Sequence, residues 1–283
     1  AGDSRTKGFL IGATAGRTTL NGEGLQHQDG HSHVLANTVP NCVSYDPTFN
    51  FELAVIIQDG LKRMVENDED IFYYITSMNE NYIHPVMPKN SEEGIKKGVY
   101  KLESNDAKGK TSGAKSKDPL KVQLLGSGTI LLEVMEAGKL LVKDFNVSSN
   151  LWSVTSINNL AREGRDVARI NMLNPQNKPK TSYIEDVFAK EDGPVIAATD
   201  YMKEYSEQLN QFIKSDFVAL GTNGFGRSDS RANLREHFEV NRHYIVVAAL
   251  KALADSGDIE QKVVADAIKK YGINKDKPNP MSI

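Results

Sequence analysis

A chain of 283 residues with 39% hydrophobic and 25% charged residues is ordinary for a globular protein and has room for two moderate domains. A formal charge of −3 gives no electrostatic drive toward nucleic acid, and no apolar run approaches the roughly 18 residues of a membrane span. Its single cysteine, Cys42, excludes an intrachain disulfide and a paired-cysteine zinc site, so a reducing, cytoplasmic setting is expected. The first residue is Ala1 and no basic-then-apolar leader follows, so the chain is expected to start inside a longer protein.

Three short apolar runs, Lys7 to Thr14, Cys42 to Tyr45 and Ile71 to Thr76, predict buried strands. Between the second and third, Leu53, Ile56, Ile57, Leu61 and Met64 recur at helical spacing over Phe51 to Asn67. Strand, helix, strand is a parallel crossover unit. The stretch Ser104 to Pro119 has no large apolar residue and many Lys, Ser and Gly, and predicts a flexible linker or loop. Its lysines read as a solvated run rather than a docking patch.

Beyond it the alternation resumes. Strands are expected at Lys121, Leu151, Pro194 and Phe217, each leading into a helix: Ile130 to Phe145, Ile157 to Ile170, Tyr201 to Lys214, and Gly224 to Phe238. Two closing helices end at Gly257 and Gly272. The expected fold class is α/β, with two mostly parallel-sheet domains and helices on both faces. Ligands of such sheets bind at the carboxyl ends of the strands.

Three glycine clusters suggest nucleotide loops and fail on inspection. "LLGSGTILLEV" has Leu131 where the dinucleotide fingerprint needs its third glycine. "GATAGRTT" is one residue short of a phosphate loop and carries Arg17 in place of lysine. "GTNGFGRSDS" has its glycines in the wrong order. All three read as tight turns at strand ends. In the last, Asp229 or Ser230 is expected to cap a helix.

"NGEGLQHQDGHSH", Asn21 to His33, holds His27, His31 and His33. Gly22, Gly24 and Gly30 interrupt any helix that would set two histidines at metal-binding spacing, and no clear further ligand follows, so no metal site is expected. An acid–base role suits the loop better. Imidazole titrates near neutrality, and a carboxylate partner can orient one nitrogen and leave the other for substrate. On a glycine-rich loop after a strand, His27 is expected to face a crevice.

"GRTTLNGEGLQHQDGHSH", "PNCVSYDP", "YYIT", "NENY", "LLGSGTI", "WSVTS", "TDYM", "GTNGFGRSDSRANLREHFEV" and "VVADAI" occur in this order over nearly the whole chain. Together they closely resemble the homodimeric bacterial pyruvate dehydrogenases. More distantly, "QDGHSH" and "GFGRSDS" resemble the transketolase group. The resemblance implies that residues 1–103 are the later half of a thiamin-type pyrimidine-binding domain and residues 120–283 a transketolase-like C-terminal domain. The family's GDG motif for magnesium and its cofactor-activating glutamate have no counterpart in this sequence, so the diphosphate and metal ligands are not expected in this chain.

By motif, His27 matches the family's catalytic histidine. His33 matches a transketolase-group histidine near the reacting centre, and Glu23 and Asp29 are the further substrate-site candidates. The implied activity is oxidative decarboxylation of pyruvate with thiamin diphosphate and magnesium. It goes with reductive acetylation of the lipoyl group of dihydrolipoyl acetyltransferase, by a homodimer, in glycolytic carbon flow. The fragment alone is expected to be inactive. Two alternatives stand beside this: a non-catalytic dimerisation or docking fragment, and a transketolase-group enzyme acting on sugar phosphates, for which Arg5, Arg17 and Arg227 are the only loop arginines offered.

Overall fold

In the computed structural model, which describes residues 1–283, the apolar runs assemble into two sheets. The first holds β1 (Phe9–Ala13), β3 (Phe72–Ser77) and β2 (Cys42–Tyr45), in that spatial order and all parallel. Helix α1 (Ser32–Ala36) precedes β2, and α2 (Asn50–Leu61) makes the crossover to β3, with a π-turn over Lys62–Glu66. Glu52, wholly buried, accepts the Thr48 and Phe49 N–H groups at 2.6 and 2.9 Å and so satisfies donors at the start of α2. The first run, read as a buried strand, is instead an edge strand and partly exposed. Leu10 and Ile11 are 50% and 54% exposed because no element covers them, which apolar composition alone does not reveal.

The second sheet has the order β4–β6–β5–β7–β8, for β4 (Tyr100–Asn105), β5 (Lys121–Gly126), β6 (Ser148–Ser153), β7 (Val195–Ala198) and β8 (Phe217–Leu220). Only β4 runs antiparallel. Side chains alternate across a strand, so the neighbours Leu124 and Leu125 serve opposite faces. Leu124 packs in the core formed with α4 (Ile130–Leu140), α9 (Arg242–Asp255) and α10 (Gln261–Lys270). Leu125 packs in the core formed with α5 (Ile157–Leu173), α6 (Tyr183–Phe188) and α7 (Lys203–Glu207). Helices therefore cover both faces.

The remaining helices are α3 (Glu92–Lys97) and α8 (Arg231–His237). Gly98, at φ +115°, ends α3; a Cβ there would lie 2.5 Å from the Ser156 carbonyl oxygen. The helix expected over 224–238 begins only at Arg231, where the Ser230 hydroxyl accepts the Asn233 N–H at 3.3 Å. The helix expected over 201–214 shrinks to α7 and a 3-10 turn at Asn210–Phe212.

The 104–119 segment departs from a free linker. Its first two residues complete β4, and the Asn146 side chain donates to the carbonyls of Lys108, Gly109 and Lys110 at 2.8, 2.8 and 2.9 Å. Ala107, Thr111 and Ala114 are buried, and Ala114 bridges to Ile259. Small side chains anchor the loop while its lysines stay outside, a pattern that composition does not distinguish from disorder.

Helix α5 joins the two sheets. Asn158 donates to Ser44 Oγ at 2.7 Å and to the His33 carbonyl at 2.8 Å. Arg162 donates to the carbonyls of Ala36, Asn37, Val39 and Cys42, which ties α5 to the turn between α1 and β2. No helix is long and apolar enough to cross a membrane.

Candidate active site

The Asn21–His33 loop leaves β1 and runs over the carboxyl ends of the second sheet's strands. Leu25–His27 form one 3-10 turn. This brings His27 Nδ1 to 2.9 Å from Glu23 Oε2, with the two side chains 61% and 48% exposed. The hydrogen bond to His27, then its charge, holds the Glu23 carboxyl below the ordinary glutamate range. The His27 ring does not sit in a closed crevice of this chain, contrary to expectation; it stands on an open face. The pairing engages Nδ1, and no hydrogen bond within the chain takes Nε2.

The loop is held from the second sheet's side. Gln28 is buried, and its amide exchanges two hydrogen bonds with the Arg227 backbone. Asp29 accepts the N–H groups of His31 and Ser32 at 3.1 and 2.9 Å, so its carboxylate shapes the start of α1 rather than standing free for substrate. Gly30 lets the buried Arg17 pass, since a Cβ there would lie 2.1 Å from Arg17 Nε. Arg17 in turn reaches His31 Nε2 at 3.1 Å. Beside Leu25 opens a cleft of about 720 Å³, walled by Phe225, Arg227, Asn233, His237 and Ile283.

His33 is placed differently from the other candidates. It is 0% exposed, stacked on Tyr205 with ring centroids 4.9 Å apart and edge-on to Tyr201 at 4.8 Å. Its Nε2 lies 2.9 Å from Thr76 Oγ1, and Thr76 gives its own proton to Asp46 at 2.7 Å. His33 therefore donates from Nε2, and burial holds its pKa down and the ring neutral. A substrate contact through His33 is corrected by this geometry: the ring is walled in by tyrosines and belongs to a buried polar chain. That chain continues from Asp46, whose other oxygen accepts Ser127 Oγ at 2.8 Å, and Ser127 lies 3.3 Å from Thr199 Oγ1. Burial raises the Asp46 carboxyl.

A second buried acid, Asp200, sits at the end of β7 and accepts the Thr18 N–H at 3.1 Å. Burial pushes its carboxyl up to about 7 despite nearby Arg235. Arg235 itself joins Glu80 and Glu133 in ion pairs. No group of three or more His, Cys, Asp or Glu side chains is placed to hold a metal ion.

Residues 1–85 match the family model of the pyruvate dehydrogenase E1 component middle domain, and residues 98–241 match that of the transketolase-like C-terminal domain. The pyruvate dehydrogenase E1 component of Pseudomonas aeruginosa is 60% identical over 282 residues, which are 99% of this chain and 31% of that relative. The Escherichia coli K12 protein of the same name is 55% identical over 282 residues, 99% of this chain and 30% of that relative.

The chain belongs to the pyruvate dehydrogenase E1 component family. It spans about a third of the length of those relatives (31% and 30%). Transketolase from Leishmania mexicana shares its fold, with a TM-score of 0.57 at 14% identity over 87% of this chain and 30% of the other. The second family model starts at residue 98, ahead of β4, which agrees with the place of β4 in the second sheet.

Seen as a member of this pyruvate dehydrogenase E1 family, the chain holds structural acids that motif reading passed over. Asp46 and Asp200 stand inside the stretches "PNCVSYDP" and "TDYM", Asp46 directly after β2 and Asp200 two residues after β7. Their position at strand ends was a usable signal. Gln28 had none, since a glutamine between a histidine and an aspartate looks like any polar loop residue. In this family member His27 and Glu23 form a hydrogen-bonded pair at an open face.

Proposed function

We propose that this chain forms part of a subunit that oxidatively decarboxylates pyruvate and reductively acetylates the lipoyl group of dihydrolipoyl acetyltransferase. The observation that carries this reading is the 60% identity over 282 residues to a protein named pyruvate dehydrogenase E1 component. The reading includes a homodimer in the bacterial cytoplasm, in glycolytic carbon flow, using thiamin diphosphate with magnesium.

The donor set of this chain does not fit the diphosphate–magnesium cradle, because no cluster of metal-ligating side chains is assembled in it. That cradle is assigned to other residues of the assembly, where thiamin diphosphate would supply an electron sink for decarboxylation. The part assigned to the present chain is acid–base chemistry. His27 Nε2 carries or accepts the proton, and Glu23 holds Nδ1 and favours the charged ring when it forms. An exposed pair suits this role if a second surface closes over it, since exclusion of water strengthens the same interaction. Asp29 and Gln28 hold the loop, and His33 supports it from inside.

The experiment is a substrate comparison with a subunit of the relatives' length carrying these residues, loaded with thiamin diphosphate and magnesium. Consumption of pyruvate with acetylation of a lipoyl domain, and none of a ketose phosphate, is the expected outcome. Turnover of the ketose phosphate instead of pyruvate would overturn the reading.

A further inference from the structure

The Glu23–His27 pair is exposed, so its geometry must be set by what holds the turn at either end. On the near side the Gly22 N–H donates to the Asp229 carbonyl at 2.9 Å, and Asn21 Oδ1 accepts the Arg231 N–H at 3.0 Å. Ser228 Oγ donates to the Gly22 carbonyl at 3.1 Å. On the far side Gln28 makes the connection to the same segment, and two residues on the Gly30 carbonyl accepts the Met202 N–H at 3.0 Å. Gln28, 5% exposed, donates from Nε2 to the Arg227 carbonyl and accepts the Arg227 N–H on Oε1 at 2.7 Å. Its amide thus pairs with one residue as a neighbouring strand would. The fit is close: a Cβ on Gly226 would lie 2.6 Å from Gln28 Oε1.

We propose that Gln28 is a positioning residue, through which the 227–231 segment of the second sheet's domain sets the geometry of the Glu23–His27 pair. The proposal rests on the acid–base reading of that pair. Both ends of the turn are tied to four residues of one short segment, Arg227, Ser228, Asp229 and Arg231, so the pair is registered against the transketolase-like domain and not against its own strand. A displacement of about 1 Å at a catalytic group is enough to cost up to a hundredfold in rate.

Two variants test this. Gln28→Met keeps the stem and its packing but removes both bonds; Gln28→Glu keeps the acceptor for the Arg227 N–H. Hydrogen–deuterium exchange on this chain reads the clasp without any activity. Gln28→Met is expected to speed exchange of the 22–29 and 225–229 amides roughly tenfold, with Gln28→Glu between it and the parent. In the cofactor-loaded full-length subunit, Gln28→Met is expected to lower kcat about tenfold to a hundredfold while KM for pyruvate stays within about twofold, and Gln28→Glu to recover part of the loss. Parent-like exchange in Gln28→Met, or a raised KM at unchanged kcat, overturns the proposal. If Gln28→Met does not fold, parent-like exchange in Gln28→Glu overturns it. A parent subunit that ignores pyruvate would sink the functional reading, and the exchange result would then decide the clasp alone.

Discussion

Glu23 Oε2 and His27 Nδ1 lie 2.9 Å apart across one 3-10 turn, both on an open face of the chain. The contact is short enough to select the protonation site of the imidazole and exposed enough to need outside help to become strong. Its pH dependence has a definite sign. The Glu23 carboxyl is depressed by its partner, so the interaction is in place above the ordinary carboxylate range and fades as pH falls through the depressed value. A carboxyl-carbon NMR titration of Glu23 should show this lowered midpoint, and His27→Ala should return it to the ordinary range.

Asp200 should impose the opposite slope on stability. Its carboxyl is pushed up to about 7 by burial, so between roughly pH 4 and 7 the folded state holds a proton that the unfolded chain has released. Stability therefore falls as pH rises through that window, by at most about 1.4 kcal/mol per pH unit from this group, and levels off above it. Asp200→Asn keeps an acceptor for the Thr18 N–H and should flatten the slope in urea unfolding midpoints measured from pH 5 to 8.

His33→Ala should behave as a core mutation. The ring is wholly buried between Tyr201 and Tyr205, and its loss leaves a cavity and takes away one hydrogen bond to Thr76 Oγ1, which still donates to Asp46. A destabilisation of about 3 kcal/mol is expected by denaturant unfolding, with turnover per folded molecule close to that of the parent. A loss of turnover at unchanged stability would restore the direct role that its motif suggests.

Asn146 should decide whether the 106–119 loop is ordered. Its side chain holds three carbonyls, and its own backbone is left-handed at φ +57°. Asn146→Ala is expected to cost about 2 kcal/mol and to expose the loop to trypsin at Lys108 and Lys110. Asn146→Gly, which relieves the backbone, should cost less and open the loop equally.

Much of the fold was legible because burial on both faces leaves continuous apolar runs, as in Leu124 and Leu125, which mark the parallel strands of the second sheet. Caps such as Ser230 and terminators such as Gly257 and Gly272 were legible for the same local reason. What escaped depends on distant partners. β4 carries charged residues between its apolar ones, and it pairs with one neighbour, the antiparallel β6. The 106–119 loop is held by distant partners, among them Asn146, Ser148, Phe145 and Ile259. At the site, the Glu23–His27 pairing follows from an i, i+4 spacing that a turn can realise, whereas the clasp between Gln28 and Arg227 joins residues 199 positions apart and leaves no local pattern. His33 misled because spacing does not report which side of α1 faces the tyrosines.

The sharpest test of the acid–base role is single-turnover kinetics of His27→Ala in a full-length, cofactor-loaded subunit, with pyruvate and a lipoyl domain as acceptor. Acetyl transfer is expected to slow by about two or more orders of magnitude, on the scale of a lost acid–base group, with the fold unchanged by circular dichroism. Acetyl transfer near the parent rate in a folded His27→Ala subunit would contradict that role.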